Sequence, residues 1–173
     1  MNKHLLFIPV FILTLSGCNS ENKIFEKTEY LRWVGDIEHD SKIDNIDFKL
    51  CNEDYQVLQY FNIGMGPVYK GEKKKLINAF NSNFEPVTEK KQNGWIRIRF
   101  IVNCEGHAGR FRILQSDNNY EDFNFDRKII TQLIEIAKGI ENWEILYSEG
   151  IPIDYYMYLV FKISDGHILE ILP

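Results

Sequence analysis

The stretch from Gly94 to Ile163 constrains the fold more than any other part of the chain. In Trp95 to Val102, Ile96, Ile98, Phe100 and Val102 alternate with Trp95, Arg97, Arg99 and Ile101, the period-2 signature of a strand with one buried face. Asn103-Cys104-Glu105-Gly106 supplies turn chemistry and Arg110 to Leu114 resumes the alternation, which predicts an antiparallel hairpin. From Phe125 the period changes: Ile129, Leu133, Ile136 and Ile140 fall three or four apart on one helical stripe, with Asn124 or Asp122 available as N-cap and Gly139 near the end. After Ser148-Glu149-Gly150, the run Ile153 to Ile163 alternates again and puts Ile153, Tyr155, Met157, Leu159, Phe161 and Ile163 on one side. Strand, strand, helix and strand in that order predict an α+β domain, a small antiparallel sheet with helices packed on one face. Two elements flank it. Leu76, Ile77, Phe80 and Phe84 predict a short amphipathic helix over Lys73 to Phe80, and His167 to Leu172, after the turn Ser164-Asp165-Gly166, predicts a last strand beside the third.

Gly94, Gly106, Ser116, Trp143, Gly150, Pro152 and Phe161 follow one another in a pattern that resembles the C-terminal domain of TonB-type proteins. The resemblance covers about half the chain, from around Lys70 to Ile163, and the domain so outlined is 67–173. It implies a periplasmic ββαβ unit that binds an extended segment of an outer-membrane receptor by pairing with it as an added strand. The implied contact surface is the edge of the third strand, at Tyr156, Tyr158 and Val160. Two positions depart from the family: Phe84-Glu85-Pro86 stands where it has Tyr-Pro, and the Trp143 region lacks its Tyr-Glu-Pro-Gly. A paired strand at His167 to Leu172 would cover part of the third-strand edge. The alternative expectation is therefore a structural or accessory envelope lipoprotein with that edge closed and no TonB-type activity.

The N-terminus gives an address. A short basic start and the apolar run Leu5 to Leu15 are too short to span a membrane, for which about 20 apolar residues are needed, so residues 1–17 read as a signal peptide. Leu15-Ser16-Gly17-Cys18 resembles the bacterial lipoprotein signal, which implies lipidation at Cys18, a tether over 18–28 and membrane attachment through the lipid. Asn19 and Ser20, with no Asp after the cysteine, imply the outer membrane with the protein facing the periplasm. Force transmission across the periplasm would need a spanning helix and a long extended segment. Five scattered prolines and no such helix argue against it and leave a tethered binding module.

The formal charge of −5 becomes −6 once Lys3 leaves with the signal peptide, which gives no basis for nucleic-acid binding. Residues 29–66 are expected to form a β-rich extension, with strands at Tyr30 to Val34, Phe48 to Cys51 and Tyr55 to Phe61 around an acidic loop. Its carboxylates Asp36, Glu38, Asp40, Asp44 and Asp47 read as a solvated acidic loop, since the run Asp36 to Asp47 holds no glycine for the bend of a calcium loop. Arg97, Arg99, Arg110 and Arg112 share the sheet face opposite Ile98 and Phe111, so the acidic extension is expected to lie across them. The rival expectation makes those four arginines a site for an anion or acidic peptide.

Cys51 and Cys104 remain after lipidation of Cys18 and, in an oxidising compartment, predict a disulfide. Cys51, Cys104 and His107 would make only a partial metal site, and no metal or cofactor is expected. Gly66 and Gly71 have phosphate-loop spacing, but Glu72 stands where that loop needs Lys. The histidines fall in loops and no Ser or Cys occupies a nucleophile motif, so the chain does not read as an enzyme.

Overall fold

A computed structural model describes residues 36–60, 69–141 and 143–172. The signal peptide, Cys18, the tether, the strand expected at Tyr30 to Val34 and most of the Gly64 to Gly71 loop lie outside the described residues. Those that are described fold as α+β. Seven strands are present among them: β1 (Leu58–Gln59), β2 (Gly94–Val102), β3 (Ala108–Ser116), β4 (Leu146–Ser148), β5 (Ile151–Ile153), β6 (Tyr155–Ser164) and β7 (His167–Leu172). Two helices, α1 (Glu72–Asn83) and α2 (Arg127–Lys138), accompany them.

β2 is central, antiparallel to β3 on one side and to β6 on the other. The far side of β6 is shared. β7 pairs antiparallel with its second half, and the two residues of β1 run parallel to its start, so the sheet is mixed where an antiparallel one was expected. β4 and β5 form a separate hairpin. Ile153 belongs to that hairpin, and Asp154 divides it from β6.

Both helices cover one face. Ile129, Leu133 and Ala137 of α2 and Leu76 and Phe80 of α1 are buried with Ile96, Ile98 and Phe100 of β2 and Leu159 and Phe161 of β6. The Phe80 ring meets Phe161 at 4.7 Å between centroids. Each such side chain contributes roughly 1.5–3 kcal/mol on leaving water, so this face dominates the stability of the unit. Asp126 caps α2 by accepting from the Lys128 amide at 2.9 Å, so the helix starts four residues later than Asp122, or two later than Asn124, would set it. Gly166, at φ 78°, turns β6 into β7 with its carbonyl accepting from the Val87 amide; a Cβ there would meet Val87 O at 1.9 Å.

The extension departs from the β-rich expectation. Phe48 to Cys51 forms no strand, Asp54–Gln56 is a 3-10 turn, and strand within 36–60 is confined to Leu58–Gln59. Its carboxylates and amides are engaged locally, as where Asp40 accepts from the Lys42 amide at 2.9 Å and Asn45 from Asp47 at 3.0 Å. Side chains that satisfy nearby amides compete with a ladder and favour turns.

Candidate functional site: one clamped face and two sheet edges

The arm formed by residues 36–59 lies on the sheet face away from the helices. Its apolar contribution is small: Ile37 and Val57 bury against Ile101 and Tyr156, with Phe48 and Leu50 half-buried beside them. Gly109 makes the fit, because a Cβ at that position would meet the Phe48 ring at 2.2 Å. Between Arg99 and Ile101 the β2–β3 register slips by one residue, a bulge that leaves Arg110 at φ 53°. From there its guanidinium donates to the Ile37 carbonyl at 3.2 Å and to both oxygens of Asp54 at 3.0 and 3.1 Å. Arg112 forms a two-pronged pair with Asp44 at 2.6 and 2.8 Å and donates to Glu38 O at 2.7 Å. The Asp44 side chain is 2 % exposed, and its bond with Arg112 holds the carboxyl at about 2.

The other two arginines are buried in the sheet face. Arg97 donates to Ser116 Oγ at 2.8 Å beneath Tyr120, and Arg99 sits 5.5 Å from the centroid of Tyr156. Burial pushes both guanidinium groups below their ordinary pKa, Tyr120 opposing for Arg97 and Tyr156 and Asp36 for Arg99.

Two links close the arm at the β2–β3 turn. Cys51 and Cys104 are joined in a disulfide, as the cysteine count predicts. Beside it, the buried Asp154 carboxylate accepts from the amides of Cys51, Asn52 and Cys104 at 2.8 to 3.2 Å and from Asn52 Nδ2 at 3.1 Å. Four donors gather one carboxylate, both cysteine segments and the start of β6 into a single knot. The sulfur atoms and Asp154 lie within 4.8 Å of one another, but sulfur in a disulfide offers no thiolate to a metal. His107 is turned to Glu105, 3.3 Å away. The sequence reading missed Asp154; its signal was a lone carboxylate inside the apolar run Ile151 to Val160.

The two edges of the sheet differ. On β6, Tyr155 and Tyr156 pair with β1 and Val160 to Ser164 with β7. Tyr156 is buried, its hydroxyl donating to Asp36 at 3.2 Å, Tyr158 stacks edge-on with Tyr60 at 5.4 Å, and Val160 is paired with Leu172. The three residues expected to receive a partner are thus largely engaged within the chain. On β3, by contrast, the side away from β2 carries among the described residues only a bridge from Ser116 to Asp122. Along Ala108 to Ile113 it borders a groove of about 770 Å³ between the Lys42 to Asn45 turn of the arm and Ile134 and Lys138 of α2.

Among the described residues, no helix is long and apolar enough to cross a membrane. No protein-family model matches the chain, and no match to it is found among curated proteins or among solved structures.

Proposed function

We propose that this chain is a lipid-anchored, periplasm-facing binding module of the outer membrane, with a domain resembling the TonB C-terminal unit, that takes up an extended segment of another envelope protein by strand addition. It works noncovalently and needs no cofactor. The observation that carries this reading is the contrast between the edges among the described residues: β6 is paired with β7 and β1, while β3 presents Ala108 to Ile113 beside a groove of about 770 Å³. An unpaired strand offers amides and carbonyls at alternate residues, and an added segment satisfies them with main-chain bonds. The lipoprotein signal ending at Cys18 supports the address, and the order β2, β3, α2, β6 supports the domain resemblance.

The pairing of β7 with β6 favours a second reading, an accessory lipoprotein whose structural role needs no strand addition. Site-specific photo-crosslinking separates the two. A crosslinker is placed at Ala108 or Leu114 of β3 and, separately, at Tyr158 or Val160 of β6 in the lipidated protein within envelope membranes. Crosslinks from both β3 positions to neighbouring residues of one partner segment support strand addition at β3. Crosslinks from β6 alone return the site to the third strand, and none from either edge supports the accessory role.

A further inference from the structure

The walls of the β3 groove differ, and the difference selects its occupant. The wall built by the arm and the outer face of β3 carries Lys42, Arg110 and Arg112, with Asp44 as its carboxylate. The opposite wall, formed by α2 and the core-facing side chains of β3, is mainly apolar, with Phe111, Ile113 and Ile134 and a single cation, Lys138, at the end of the helix. In all, four cations face one carboxylate on a protein whose formal charge is −5.

Asp44 is committed to Arg112. The partners of Arg110 and Lys138, Asp54 and Glu135, lie outside the groove lining and are 59 % and 65 % exposed. Lys138 is itself half-exposed and free to turn to an incoming carboxylate, whereas Arg110 is 12 % exposed and shares its two-pronged pair with Asp54 from the water side, so a carboxylate at the groove adds to its charge environment without displacing that link. An extended chain added to β3 turns successive side chains to opposite walls. From this geometry we infer that the segment received at the β3 edge is an acidic one in which carboxylates alternate with apolar residues, the carboxylates facing Lys42 and Arg110 and the apolar residues facing Phe111, Ile113 and Ile134. This inference rests on the strand-addition reading above and names the chemistry of the partner for that site.

The test uses the full chain in detergent micelles and three dye-labelled nine-residue peptides: alternating Glu and Val, the same peptide with Ser for Glu, and the Glu-Val peptide N-methylated at every second residue. Fluorescence anisotropy is expected to show the Glu-Val peptide binding at least tenfold more tightly than the Ser-Val peptide at low salt, with the advantage shrinking toward 0.5 M salt. The doubly substituted Lys42→Glu, Lys138→Glu protein, at two exposed positions and checked for an unchanged circular dichroism spectrum, should lose that preference. Equal binding of the first two peptides, with loss only on N-methylation, overturns the acidic preference and leaves strand addition standing. If N-methylation changes nothing, or if no peptide binds, strand addition at β3 fails and the inference falls with it. A dimer that forms without peptide and blocks its binding, seen by sedimentation, makes a second copy the occupant and overturns the inference.

Discussion

The two faces of this sheet are covered by different physics. Among the described residues, twenty-two buried ones join the helices to one face, whereas four make the apolar cluster on the other, two of them from the arm. What the arm lacks in buried area it replaces with directed bonds: a disulfide, a buried carboxylate with four donors, and two arginine pairs. A surface covered in the first way comes apart with the whole unit, while one covered in the second way opens when single links are cut. The arm also supplies one wall of the β3 groove, so the second kind of covering is the one that shapes the candidate site.

Substitutions on each side should break this contrast in different ways. Phe80→Ala, in the helix-covered core, is expected to cost about 3–5 kcal/mol and to lower the urea midpoint for every probe of the fold together. Replacing Cys51 and Cys104 by Ser removes the cross-link across a separation of 53 residues, worth about 4 kcal/mol in the loop-entropy account. Its effect should be concentrated in the arm, read as a rise in proteolytic cutting between residues 36 and 59 under native conditions. Asp154→Ala leaves the three backbone amides of Cys51, Asn52 and Cys104 without their acceptor, for a loss of about 3 kcal/mol in urea unfolding, with arm amides exchanging before those of β2. Gly109→Ala forces the Phe48 ring away and should cost about 1–3 kcal/mol, with the double variant Gly109→Ala, Phe48→Ala recovering part of it.

The smallest effect is a pH dependence. Asp44 has its carboxyl lowered from 3.8 to about 2 in the folded chain by its bond with Arg112. Its contribution is therefore complete above pH 4 and is lost as pH falls through 2, because the unfolded chain takes up the proton first. Asp44→Asn should flatten the stability profile in that window and, by removing that contribution, lower stability by a constant amount at neutral pH, where the slope stays the same.

The same contrast explains what was legible in the sequence. Alternation at Ile96, Ile98 and Phe100, and the spacing of Ile129 and Leu133, follow from burying one face of a regular element, so β2, β3, α2, β6 and β7 could be read from period alone. The arm has no period. Its path depends on bonds between residues as distant as Asp154 and Cys51, and a carboxylate that gathers three amides looks in sequence like any acidic residue in a strand. The arginine face was legible by parity and the disulfide by arithmetic, which together placed the arm without giving its conformation. Which edge stays open was harder. Tyr156, Tyr158 and Val160 were expected to face a partner, but β1 approaches β6 in parallel from 97 residues earlier in the chain, as the Leu58 to Tyr155 register shows.

Amide hydrogen exchange, measured residue by residue on the isotope-labelled full chain in micelles without any added partner, tests the edge contrast most directly. Slow exchange is expected throughout Val160 to Ile163, which lie between β2 and β7, and from Ala108 to Leu114 slow exchange at the amides that face β2 and fast exchange at those that point away, with the alternation shifted by one residue at the Arg110 bulge. Uniform protection along β3, or fast exchange at alternate residues of Val160 to Ile163, would contradict this expectation and would exchange the roles assigned to the two edges.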